Sequence, residues 1–321
     1  MRCLVPFLAV GVLAVSSATA AADETAPSLI ANGRVDDAIR VLDTRISASP
    51  NDALAHNLLC RAYLSIGQWD AGISECERAV SLEPRNGQFH LWLGRVYGEK
   101  ADKSSFFHAA GLARKVRDQF EAAVHLLPRS VEALTDLAEF YLEAPGIVGG
   151  GRDKAERQAN SLAAIDRAAA LWVEGRIQEK RGDFSSAELK YRDAIEAGHG
   201  RASAWLNLGL FYKHRSNWDA MERALIRVRS APLDRPDALV DAAELLIRSQ
   251  RNLPEARELL RAYLESTRRV EQAPAFKVHF LLGSAEERLG NRERAASEYK
   301  AALSMAREFR PARQALERVS R

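Results

Sequence analysis

Residues 205–212 read Trp-Leu-Asn-Leu-Gly-Leu-Phe-Tyr, and residues 90–97 read His-Leu-Trp-Leu-Gly-Arg-Val-Tyr. Each places a leucine three residues after its first position, a glycine directly after that leucine, and a tyrosine three residues further on. Around these two stretches the chain steps at a fixed interval. Pro50 recurs as Pro84, Gly33 as Gly67, and the pair Ala38 and Leu42 as Gly72 and Cys76. The same step of 34 residues carries Gly175 to Gly209 and Ala194 to Val228. A period of about 34 residues predicts helix-turn-helix units that bury a core only by stacking. Small residues at the eighth and twentieth positions let paired helices approach, and the large residues at seven, eleven and twenty-four fill the space beside that contact. The proline ends the second helix because it cannot continue the hydrogen-bond ladder.

The pattern resembles the tetratricopeptide repeat family, whose signature runs W-x2-L-G-x2-Y, then A-x3-F, then P. Trp205-x2-Leu208-Gly209-x2-Tyr212 reproduces the first half, and His90-x2-Leu93-Gly94-x2-Tyr97 differs only at the tryptophan. Ala187-x3-Tyr191, Ala256-x3-Leu260 and Ala295-x3-Tyr299 fit the second half. The resemblance implies an all-α, right-handed solenoid of about eight units. They fall at approximately 21–52, 53–86, 87–130, 131–167, 168–201, 202–235, 237–270 and 276–309, with a capping helix at 310–321. The cap's outward side is expected to be charged (Arg313, Glu317, Arg318, Arg321). Gln178, Ala159 and Glu244 depart from the residue types expected at their positions. Two units exceed the repeat length, near 101–111 and 145–152, and both excesses are expected to be partner-contact turns.

The chain begins with Arg2, an apolar run from Leu4 to Val15, and Ala18-Thr19-Ala20. That layout predicts a secretory signal peptide over 1–20, cleaved near Ala20. The apolar run is shorter than a spanning helix needs, so the mature protein is expected to be exported, periplasmic or secreted, with no membrane span. The formal net charge is +3, with basic residues spread among acidic ones. The densest basic run, Arg114-Lys115-Val116-Arg117, is followed at once by Asp118. No basic face with stacking platforms emerges, which argues against nucleic acid as a partner. Once Cys3 leaves with the leader, Cys60 and Cys76 remain. A bridge between them would staple the two helices of one unit, and two free buried thiols are the alternative.

No residue pattern indicates catalysis. The seven histidines (His56, His90, His108, His125, His199, His214 and His279) never fall at zinc-ligand spacing and read as groove or surface residues. Asp36 and Asp37 read as ordinary solvated helix positions. The glycines of 146–153 have the spacing of a phosphate-binding loop. However, Arg152 stands for its lysine, Asp153 for its hydroxyl, and a helix rather than a strand precedes it. An enlarged turn, with Asp153 capping the next helix and Glu156 completing a capping box, accounts for the segment better. A nucleotide-regulated envelope protein is the weaker alternative, and no cofactor is expected.

The resemblance implies that the first helix of each unit lines a concave groove. Carried onto this chain, the inward positions are Asn57, Arg61, Trp92, Arg95, Asp136, Glu139, Trp172, Arg176, Asn207 and Lys213. Trp92 and Trp172 lie off the packing position and are expected to be partly exposed, where tryptophan and arginine dominate binding hot spots. The lysine, asparagine and arginine clamp that some members use for a peptide carboxylate is absent. Where Asn207 fits, Ala238 and Ala242 occupy the partner positions. The implied role is a non-catalytic scaffold for protein or peptide partners in the cell envelope, or more narrowly an assembly factor or chaperone. The arginines opposed by acids suggest a ligand of mixed charge.

Overall fold

The computed structural model describes residues 25–321; the expected leader at 1–20 lies outside them. The described chain is helical throughout, and successive helices pair. The pairs are α1 (Ala26–Ala31) with α2 (Val35–Ala48), α3 (Ala53–Ser65) with α4 (Trp69–Leu82), and α5 (Gly87–Asp102) with α6 (Phe106–Leu126). Next come α7 (Val131–Glu143) with α8 (Arg152–Ala163), α9 (Arg167–Arg181) with α10 (Phe184–Ala197), and α11 (Ala202–His214) with α12 (Trp218–Ser230). The series ends with α13 (Ala238–Arg248) and α14 (Leu253–Glu265), α15 (Ala275–Arg288) and α16 (Arg292–Met305), and the single α17 (Arg310–Ser320). Among the described residues no helix is long and apolar enough to cross a membrane.

The helices start where the sequence supplies acceptors for unpaired first-turn amides. Asp52, Asp166 and Asn217 accept from Ala55 N (3.0 Å), Ala169 N (3.0 Å) and Ala220 N (3.3 Å). Within a pair, the glycine at the eighth position is overlain by a large side chain of the second helix. A Cβ on Gly209 would stand 2.6 Å from Leu225 Cδ2, too close for an unmoved core. Tyr191 and Tyr299 are fully buried, and each hydroxyl donates to a glutamate of the partner helix, Glu179 (2.9 Å) and Glu287 (2.7 Å). The ring contributes its area while the hydroxyl stays satisfied.

Two histidines correct the sequence reading. His56 and His90, one repeat apart at the position where the repeat signature has tryptophan, are buried rather than facing groove or solvent. Each ring bridges the carbonyl of the preceding proline (Pro50 or Pro84, both 3.0 Å) and a side chain of the paired helix, Glu75 (2.6 Å) or Gln119 (2.7 Å). They tie one unit to the next.

The excess residues of 101–111 also differ from expectation. Instead of an extended turn they lengthen both helices of the pair, leaving only residues 103–105 between α5 and α6. The segment 145–152 is a true excursion, with a 3-10 turn at Gly146–Val148. Asp153 does not cap α8. Gly151 is the N-cap residue and makes no side-chain bond, Asp153 pairs with Arg157 (3.2 Å), and Glu156 pairs with Arg181.

The eighth unit returns to the first. Leu29, Ile30, Val35 and Ala38 share one buried cluster with Phe276, Ala302, Ala306, Phe309 and Ala312. Gly33, at φ +82°, sits so close that a Cβ there would lie 2.7 Å from Phe276 N. Only glycine satisfies both that backbone conformation and that approach. Arg307 bonds Asp36 at 2.9 Å, so Asp36 is a closure contact rather than a solvated position. The solenoid therefore closes on itself, and α17, expected as a solvent cap, contributes Ala312 to the joint.

Candidate protein-binding lumen

Closure converts the concave groove into a lumen. Its larger cavity, about 790 Å³, is bordered by Trp172, Asn207 and Lys213 together with Asp241 and Glu244 of α13. A second, about 650 Å³, is bordered by Arg61, Trp92, Glu143 and Lys277. Both include Arg95, Asp136, Glu139 and Gln272, so they adjoin across these side chains. The walls come mainly from the first helices, which bring together eight of the ten sequence-predicted positions. Asn57 and Arg176 are the exceptions: Asn57 is 1% exposed, its amide facing Cys76 Sγ at 3.9 Å inside the pair, and Arg176 lines neither cavity but pairs with Glu143 and Glu179.

Trp92 corrects a second expectation. It is 9% exposed, clamped between the guanidinium groups of Arg61 (4.5 Å) and Arg95 (4.9 Å). Trp172 is partly buried and borders the larger cavity. The groove charges engage one another before any ligand arrives. Arg95 pairs with Asp136 (2.8 Å) and Glu132 (2.7 Å), Arg176 with Glu143 and Glu179 (2.7 Å), and Arg61 with Glu271 (2.5 Å). Four of the predicted side chains make no hydrogen bond, ion pair or cation–π contact to other described residues: Glu139, Trp172, Asn207 and Lys213. These are the side chains the lumen holds available.

Carboxylates outnumber cationic groups around both cavities. Burial pushes the Asp136 and Glu139 carboxyls above their ordinary range, and that of Asp241 up to about 6. Burial pushes the Lys277 ammonium in the opposite direction. Glu139 is exposed to the lumen yet surrounded by protein, a concave environment that desolvates without covering.

Sequence reasoning missed Gln272, Lys277, Asp241 and Glu271. Lys277 and Asp241 occupy first helices, so a stricter carry-over of the inward positions would have found them. Glu271 and Gln272 lie on the connection between units seven and eight and carried no signal. Sγ of Cys60 and Sγ of Cys76 are joined, with Cα atoms 5.3 Å apart, linking α3 to α4. Among the described residues no group of three or more histidine, cysteine or carboxylate side chains is arranged to hold a metal ion.

The glycine turn is not a phosphate cradle. The amides of Gly149, Gly150 and Gly151 donate to Gly146 O (3.0 Å), Pro145 O (3.2 Å) and Tyr141 O (2.8 Å), so none is turned outward as an anion donor.

Family models described as tetratricopeptide repeat match residues 29–90, 173–232 and 248–315, more than half of the chain. The chain belongs to the tetratricopeptide repeat family. No curated protein matches it. Among solved structures it is similar to yeast Tom70, at 12% identity over 89% of this chain and 58% of that one, with a TM-score of 0.52. It is also similar to a thermophilic tetratricopeptide repeat protein of Thermus thermophilus, at 19% identity over 57% and 93% (TM-score 0.46). A tetratricopeptide repeat protein of Parabacteroides merdae matches at 17% over 84% and 99% (TM-score 0.40). At these identities the likeness is one of fold. Proteins of this family generally act as non-catalytic protein-interaction scaffolds.

Proposed function

We propose that this protein is an exported interaction scaffold that receives an extended segment of a protein partner in its lumen, without chemistry of its own. The observation that carries the reading is the set Glu139, Trp172, Asn207 and Lys213, whose side chains make no hydrogen bond or ion pair among the described residues, around a cavity of about 790 Å³. It combines an aromatic surface, an amide and charges of both signs, which suits backbone and side-chain recognition of a peptide. Export is supported by the apolar run and Ala18-Thr19-Ala20, and by the Cys60–Cys76 bridge, a bond that persists in oxidising compartments. An envelope location, with an assembly or chaperone role as its narrower form, belongs to the same proposal.

The test uses a displayed library of random peptides selected on the oxidised chain, then scored with a photo-crosslinking residue at Lys213 in the lumen or at Arg223, exposed on α12. Selected peptides should crosslink from position 213 and lose about tenfold in affinity in Trp172→Ala, as truncation of an aromatic anchor does. Crosslinks confined to position 223 would move the site to the convex face and refute the lumen.

A further inference from the structure

Residues 266–274, between α14 and α15, cross the concave side of the molecule. Their base is fixed. The hydroxyl of buried Tyr263 donates to Ala273 O (2.7 Å) and accepts from Val270 N (2.9 Å), and Arg269 donates to Leu264 O (2.8 Å). Their tip reaches across to the second unit, where Glu271 meets Arg61 at 2.5 Å. Gln272 borders both lumen cavities and a third, of about 480 Å³, beside α1. The segment therefore partitions the concave space.

We infer that residues 266–274 form an internal strap, an occupant of the second-unit end of the lumen that yields to the side-chain carboxylate of an incoming extended peptide. The inference rests on the lumen being the peptide site. Three observations support it. The tip is incompletely satisfied: Arg61 Nε and Glu271 Oε2 are buried without a hydrogen-bond partner among the described residues. An ion pair removed from water with two of its five polar atoms unmet is a weak tie. Closure does not depend on the tip, because the Phe276–Phe309 cluster, the Arg307–Asp36 pair and, at the base of the strap, the bond from Arg269 Nε to Asn32 Oδ1 (2.9 Å) join the ends without Glu271. Finally, Arg61 is stacked on Trp92 and stays aligned when Glu271 leaves, presenting a planar donor fork to the next carboxylate.

The test begins with hydrogen exchange on the full oxidised chain. In Glu271→Gln the amides of 267–273 should exchange faster while α2 and α15 keep their wild-type rates. Unchanged strap amides, or acceleration spreading into α2 and α15, would overturn the inference; the second result would make the segment a brace of the joint. The probe for the second arm is a synthetic peptide with the sequence of 266–274 and both ends blocked, whose only carboxylate corresponds to Glu271. It should bind Glu271→Gln about tenfold more tightly than wild type, because the tethered competitor has been weakened, and Arg61→Ala should abolish that gain. A glutamine version of the peptide with a free C-terminus separates a terminal carboxylate from a side-chain one. Equal affinity for the two chains, no binding to Glu271→Gln, or equal binding of the glutamine peptide would each overturn the strap. If library peptides still crosslink at position 213 in that event, the lumen remains the site and only the gate is lost. If none does, the lumen reading itself falls.

Discussion

The two long connections of this molecule invert what their compositions suggest. Residues 145–152 are rich in glycine and resemble a ligand loop, yet they are structural. Val148 is buried, the amides of Gly149, Gly150 and Gly151 are spent on carbonyls, and Lys154 ties Gly149 O at 2.8 Å. Residues 266–274 contain no glycine and no turn signature, yet they cross the lumen and pair with a residue 210 positions away. Glycine here reports crowding of the backbone against itself. Functional position reports where the superhelix carries a segment, which composition does not encode.

The comparison breaks most visibly at Gly150, where a Cβ would overlap Ala144 O. Gly150→Ala should cost about 3 kcal/mol of stability, the upper range for overpacking against backbone. A loss under about 1 kcal/mol in urea unfolding would mean that the glycine turn is loose after all. Reduction of the Cys60–Cys76 bridge, at a sequence separation of 16, should cost nearly as much, ~3 kcal/mol on the chain-entropy estimate. Thermal unfolding with and without reductant measures it. Because the bridge holds α3, which carries Arg61, exchange of strap amides should rise in the same samples.

Glu271→Gln should cost no more than about 1 kcal/mol, since loosening of the strap lets water reach Arg61 where it lies on Trp92 instead of leaving it buried and unpaired. A loss several times larger would make the strap as structural as the glycine turn.

The smallest effect concerns pH. Burial raises the Asp241 carboxyl from 3.8 to about 6, with Asp237 and Glu244 adding to the rise and Arg235 opposing it. The folded state thus holds this proton more tightly than the unfolded state does. That stabilisation is complete below 3.8, is lost as pH rises to about 6, and stays lost above. The side chain is 43% exposed, so the effect is screened to less than ~1 kcal/mol. Asp241→Asn should flatten the melting temperature across that window and leave both connections unaffected.

Much of this architecture is legible in the residues. The paired helices follow from the 34-residue step, and the small residues at Gly94, Gly175 and Gly209 mark where helices touch. The lumen was legible only as a set of inward positions. The expectation for Trp92 failed because an inward position does not state what else arrives there, and two arginines from successive units enclose its ring. Asn57 failed because its amide turned into the helix pair, beside Cys76. His56 and His90 were misread because a polar residue at a packing position can be satisfied by a carbonyl of the neighbouring unit, a contact with no signature in spacing.

The sequence by itself determined the repeat, its helix pairs and the scaffold class, because these depend on contacts within one unit or between adjacent units, separated by tens of residues at most. Only the tertiary structure decided that the ends meet, that Gly33 seats against Phe276, and that Glu271 reaches Arg61. Small rotations between neighbouring units accumulate over seven stackings, and their sum, which no local pattern specifies, sets whether the chain ends as an open groove or a closed lumen.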